Sequence, residues 1–166
     1  MDNPIQQQNL AKFSLAVRES SLKRFRVVPA GMENWRITPE SMSIADLAEH
    51  LIRADKWLFR KIADPSTEII AGNPGEVTIR RREQYDALVM RLQETGEKRA
   101  ELFRNVTDQD LAKRIPDGHY GYGADSTLWW ILLRANLDHE IHHRGALAVY
   151  LRVMNEMNSA PIEPLP

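Results

Sequence analysis

His139, Glu140 and His143 stand in the run Asp138-His139-Glu140-Ile141-His142-His143-Arg144-Gly145. Two imidazoles four residues apart on a helix lie one above the other and face the same way. One helix can in this way offer two nitrogen ligands to a single metal ion. The same run reads His-Glu-x-x-His, the signature of zinc proteases, in which the glutamate is the general base. That chemistry needs a third ligand downstream and a sheet to orient the substrate. Residues 144–166 offer only Glu156 and Glu163 as carboxylates, the latter among prolines, and no segment reads as a strand. Glu140 also projects about 100° away from His139 around the helix. The sequence therefore places Glu140 beside a site or at the surface rather than in catalysis.

The elements that must position these residues read as four long helices. The first is expected from about Gln8 to Val27, with Leu10, Phe13, Val17 and Phe25 as an imperfect apolar stripe before Pro29 and Gly31. The second opens at Ser43-Ile44-Ala45-Asp46, a capping-box spacing with Asp in place of Glu. Ile44, Leu47, Ala48, Leu51, Leu58 and Ile62 then recur at helical spacing up to Asp64-Pro65. The third is expected from about Val77 to Arg104, with Gly96 inside it at a cost of about 1 kcal/mol against Ala, a mark of close contact or a break. Residues 107–115 suggest a short extra helix. Pro116 and the glycine-rich stretch 118–123 form a long loop. The last helix is expected from about Ser126 to Met154, and residues 155–166, with three prolines, as an irregular tail. Long helices with short or moderate connections predict one all-α domain over 1–166, a four-helix bundle whose ligand sites come from facing helices.

On the last helix, His139 falls within about 20° of Leu128 and His143 within about 60°, so both point inward. Core histidines satisfied by ordinary hydrogen bonds are the plain reading. Burying two imidazoles without a polar partner would cost about 1–3 kcal/mol each, and a metal ion is one such partner. His50, on the flank of the second helix's apolar face, is the best candidate for a third ligand. Three neutral imidazoles suit Zn²⁺, Ni²⁺, Cu²⁺ or Fe²⁺. Three protein ligands also leave positions for water or substrate, the pattern of catalytic rather than structural zinc. His142, also inward, could replace His143, donate from behind it, or pack; the spacing favours His143. His119 belongs to the glycine-rich loop. Trp57, Trp129, Trp130, Tyr120 and Tyr122 could line an apolar pocket or serve as core and interface aromatics. Arg144 is expected to pair with a carboxylate, with anion binding at the pocket rim as the alternative, and Arg80-Arg81-Arg82 to form a solvated face, with a cosubstrate carboxylate as the alternative partner.

Composition narrows the partners. The net charge of −1, with basic residues spread along the chain, carries no nucleic-acid footprint. The chain has no cysteine, so disulfides, thiolate ligands and a protein thiol nucleophile are excluded. No stretch approaches the ~20 apolar residues of a membrane span. The N-terminus lacks the build of a signal peptide, and a cytoplasmic protein is expected.

Ser43-Ile44-Ala45-Asp46-Leu47-Ala48-Glu49-His50-Leu51 and His139-Glu140-Ile141-His142-His143-Arg144-Gly145-Ala146-Leu147 together resemble the motifs of the DinB family, in helix order and spacing as well. Ala146 stands where relatives commonly carry Gln. The resemblance implies a DinB/YfiT-like, up-down-down-up four-helix bundle, commonly a homodimer. It implies a mononuclear divalent metal on His50, His139 and His143, zinc first, with nickel or iron as alternatives. Relatives with known activity include S-transferases and isomerases that use low-molecular-weight thiols, and others are described as metal-dependent hydrolases. A small-molecule substrate, with or without a thiol cosubstrate, is thus the expected partner, and neither nucleic acid nor membrane is. The rival expectation is a non-catalytic metal-binding stress protein or dimerisation module.

Overall fold

The computed structural model describes residues 4–68, 72–115 and 126–159. Its helices are α1 (Pro4–Arg26), α2 (Ile44–Ala63), α3 (Arg82–Asn105), a short α4 (Asp108–Leu111), α5 (Leu128–Trp130) and α6 (His139–Ser159). A π-helical segment, Ile131–Asp138, joins α5 to α6, so the three form one long final helix.

Polar bonds between helices give their directions. Arg99 reaches Ser14 while Tyr85 donates to the carbonyl of Phe25, so α1 and α3 run antiparallel. Arg91 meets Glu49 and Arg99 meets Asp55, so α2 and α3 run parallel. Asn136 donates to Asp55 and Tyr150 to the carbonyl of Met42, so the final helix opposes α2. The result is the up-down-down-up bundle. Parallel α2 and α3 require a connection that travels the bundle's length, and residues 64–68 and 72–81 belong to it.

That connection explains where α3 begins. Its start is Arg82 rather than Val77, because the upstream backbone donors are engaged elsewhere. Asp46 takes the N–H groups of Gly75 and Val77, and Asn34 takes that of Ile79 and donates to its carbonyl. Gln84 then accepts from the N–H groups of Arg80 and Arg81 and opens the helix. Arg82 is only partly solvated: it donates to the Val28 carbonyl and pairs with Glu33 and Asp86. The capping box at the start of α2 forms as expected, Ser43 accepting from Asp46 N–H and Asp46 from Ser43 N–H. A second box, Thr107 with Asp110, opens α4. That helix stops early because Lys113 and Ile115 pair with Leu128 and Ser126 through their backbones. The expected glycine-rich loop, with His119, Tyr120 and Tyr122, lies outside the described residues. The last helix continues to Ser159, past the expected end at Met154, so the segment read as an irregular tail begins helical.

Two apolar clusters fill the bundle. One joins Leu22, Phe25, Ile44, Leu51, Tyr85, Leu92, Leu147 and Tyr150. The other joins Leu10, Trp57, Leu58, Phe103, Ile131, Leu132 and Ala135. Each fully buried Leu, Ile or Phe in them contributes about 1.5–3 kcal/mol. Phe13, expected in the α1 stripe, is instead 51% exposed. The inward positions of α1 between the clusters are Ser14, Arg18 and Ser21, all buried. That is why its apolar pattern reads as broken.

Candidate metal centre

His50 comes from the middle of α2; His139 and His143 come from the first two turns of α6. Antiparallel packing of these helices brings the three rings together. The Nε2 atoms of His50 and His139 lie 2.9 Å apart, as do those of His143 and His139. The rings meet edge to face, with centroids 4.5–4.8 Å apart. All three side chains are half-buried. Burial, followed by the neighbouring imidazoles, pushes the pKa of His139 down to about 4 and that of His143 to about 3. Burial, followed by the charge of Arg53, also lowers His50. The rings are therefore neutral at pH 7, the form in which imidazole binds a metal.

The donor set fits a divalent ion. Three nitrogens converge, and His139 Nε2 is the shared partner of the other two. One ring nitrogen carries either a proton or a lone pair, so it cannot make two full hydrogen bonds at once. A cation satisfies all three. Two nitrogens held 2.0–2.1 Å from one tetrahedral zinc are about 3.3 Å apart, within a few tenths of an ångström of the spacing here. The opposite nitrogens, Nδ1 of His50 and His139, are buried and have no hydrogen-bond partner among the described residues.

His142 does not share in this. It is exposed and touches only the edge of the His143 ring, at 5.1 Å between centroids. The inward projection expected for it fails. Uniform rotation from Leu128 does not carry through eight π-helical residues, whose wider turns shift the phase of the downstream turns of α6. Trp57 is buried in the core, and Trp129 and Trp130 lie 36% and 42% exposed near α4 and Thr127. Arg144 forms no ion pair among the described residues, against the expectation of a carboxylate partner.

Glu140 is neither at the surface nor at the histidines. It is 1% exposed and belongs to a closed ring of four charges. Arg18 donates to Glu140 at 2.9 Å and to Asp55 at 2.8 Å; Arg99 donates to Glu140 at 2.6 Å and to Asp55 at 3.1 Å. Burial alone would raise the Glu140 pKa, but Arg99 and Arg18 outweigh it and draw it down to about 2. Each helix of the bundle supplies one member, from the level between the two apolar clusters. Asn136 in the π-helical segment adds a bond to Asp55 at 3.2 Å, and Ser14 accepts from Arg99 at 2.8 Å. Gly96 makes the ring possible, since a Cβ there would come within 2.5 Å of Arg18 Cγ. Arg18, Asp55 and Arg99 escape a reading based on metal-ligand types. Their signal is a charge placed at helical spacing inside an otherwise apolar face.

A family model describing the DinB superfamily matches residues 15–147. The chain belongs to the DinB superfamily. The match runs from the middle of α1 to the third turn of α6 and includes His50, His139, His143 and all four members of the charge ring. No curated protein matches this DinB chain in sequence. No helix among the described residues is long and apolar enough to cross a membrane.

Proposed function

We propose that this DinB protein is a metal-dependent enzyme that activates a low-molecular-weight thiol for transfer to a small electrophile. Convergence of the three neutral imidazoles of His50, His139 and His143 is the observation that carries the reading. These residues would hold a divalent ion, zinc first. When bound, such an ion stabilises the deprotonated form of a coordinated thiol or water near neutral pH. With no cysteine in the chain, a sulfur nucleophile has to arrive with a cosubstrate, which favours S-transfer over the hydrolase alternative. The histidines would stay unprotonated around pH 7, so the ligand set does not compete for the thiol's proton. The charge ring fixes α2 and α6 relative to each other and so sets the spacing of the ligands. Glu140 takes no proton in this scheme, because two arginines hold it ionised. A homodimer is part of the proposal.

Metal analysis of protein purified without a histidine tag should give one divalent ion per chain, lost on His139→Ala. Stoichiometric metal in that variant would refute the site. A thiol-conjugation screen over several electrophiles, with and without chelator, then tests the activity. Turnover indifferent to chelator would exclude the metal mechanism; stoichiometric metal without turnover would favour the non-catalytic binder.

A further inference from the structure

The back of the site has its own architecture. His50 Nδ1 points away from the other two histidines and is buried without a hydrogen-bond partner among the described residues. It faces a cavity of about 10 Å³ bounded by His50, Glu49, Arg53, Gly72 and Glu76. That is the size of one water position, and a water there needs polar neighbours. Gly72 sits over the space: a Cβ built on it would lie 3.7 Å from His50 Nδ1 and 3.9 Å from Glu76 Oε2. The imidazole nitrogen and the carboxylate oxygen therefore border one small volume, together with Arg53 Nη1 at 3.4 Å from the same point.

The acceptors around it are not equivalent. Asp46, which also borders the cavity, is already engaged by four donors, the N–H groups of Ser43, Gly75 and Val77 and the Arg36 guanidinium. Glu49 is turned toward Arg91, at 2.9 Å, on α3. Glu76 is held in place by Asn73, which donates to its Oε1 at 2.8 Å, and by Arg53 on its Oε2. A carboxylate oxygen accepts more than one hydrogen bond, so Oε2 retains capacity toward the cavity.

We propose that Glu76 is a positioning residue for His50: its carboxylate accepts, through one water in this cavity, the hydrogen on His50 Nδ1. With Nδ1 protonated, Nε2 presents its lone pair toward His139 and His143. Metal-binding histidines are commonly oriented by such a partner on their other nitrogen. Here it comes from the connection between α2 and α3, the same segment that Asp46 clamps to the start of α2. The inference rests on the three-histidine reading for its purpose, but its test does not require metal.

Ring ¹H–¹⁵N correlation spectra of the metal-free protein report the tautomer of each histidine, with the His50 signal assigned by its loss in His50→Gln. The expected result is the Nδ1–H form of His50 in the natural sequence and a shift to mainly Nε2–H in Glu76→Ala. Zinc affinity in a chelator competition should fall by about 10–100-fold in the same variant. Glu49→Gln should leave the tautomer as it is. If Glu76→Ala does not fold, Gly72→Ala replaces it, because its methyl enters the same space while the carboxylate stays. His50 found as Nε2–H in the natural sequence overturns the proposal, as does an unchanged tautomer in the position 76 or 72 variant. A shift caused by Glu49→Gln also overturns it. Failure of the unaltered protein to bind zinc would instead remove the proposed function, while the tautomer would still decide the role of Glu76.

Discussion

Replacing Glu140 with Gln separates two roles for the same glutamate. In a His-Glu-x-x-His protease the carboxylate serves the metal-bound water, and its loss abolishes activity while the fold stands. In this bundle the carboxylate is 1% exposed and accepts from Arg18 Nε at 2.9 Å, Arg18 Nη2 at 3.0 Å and Arg99 Nη1 at 2.6 Å. Glu140→Gln leaves two buried guanidiniums facing Asp55 alone, an uncompensated charge in the core. Removing one partner of a buried pair costs about 3–5 kcal/mol, a large share of a domain's total of about 5–15 kcal/mol. At about 2–4 °C per kcal/mol for a chain of this size, Tm should fall by roughly 6–20 °C. Calorimetry measures this, and metal analysis at low temperature should give the same metal content as the natural sequence, since His50, His139 and His143 are untouched. The double variant Arg99→Met with Glu140→Met removes one charge of each sign, leaves Arg18 with Asp55, and should recover part of the loss. An unchanged Tm with loss of metal or of metal-dependent activity would refute the structural role and return the glutamate to the metal centre.

The metal-free protein should lose stability as pH falls from about 6.5 toward 4. His139 and His143 titrate at about 4 and about 3 when folded, against about 6.5 unfolded, so the unfolded chain binds protons first. Urea melts between pH 7 and 5 report this before most carboxylates titrate, and a slope identical in the His139→Ala/His143→Ala double variant would contradict it. Gly96→Ala should destabilise by about 1–3 kcal/mol through overpacking against Arg18, despite a helix-propensity gain of about 1 kcal/mol. A higher urea midpoint would show that the Arg18 stem yields freely. Ser43→Ala should cost about 0.5–2 kcal/mol by unmaking the cap on α2, a loss that urea denaturation resolves.

Helix count, bundle class, the histidine pair of the last helix and His50 as the candidate third were legible in the chain. Apolar residues at helical spacing mark α2 and α3, and Ser43 with Asp46 marks a start that depends only on local bonds. The i,i+4 pair His139 and His143 follows from helix geometry within one element. His50 was legible from its place on the flank of the α2 apolar face and from the DinB resemblance of the two motifs. The start of α3 was not legible. It depends on Asp46 and Asn34 capturing backbone donors some 30 and 45 residues away, which no local pattern encodes. Nor was the exposure of His142, since a π-helical segment shifts the phase that a uniform helix would carry.

The charge ring marks the boundary between the two kinds of information. From sequence, Arg18, Asp55 and Arg99 are ordinary charged residues on three different helices, and Glu140 is the centre of a protease-like motif. Only packing reveals that these four neutralise one another in the core. Local spacing determines which side chains share a face of one helix; long-range packing decides which faces meet, and with that whether a charge is solvated, paired or set beside a metal. The chain by itself determined two imidazoles aimed inward and the absence of any thiol. The tertiary structure decided that a third imidazole joins them and that Glu140 belongs to the scaffold, because burial makes an unpaired charge too costly to leave alone.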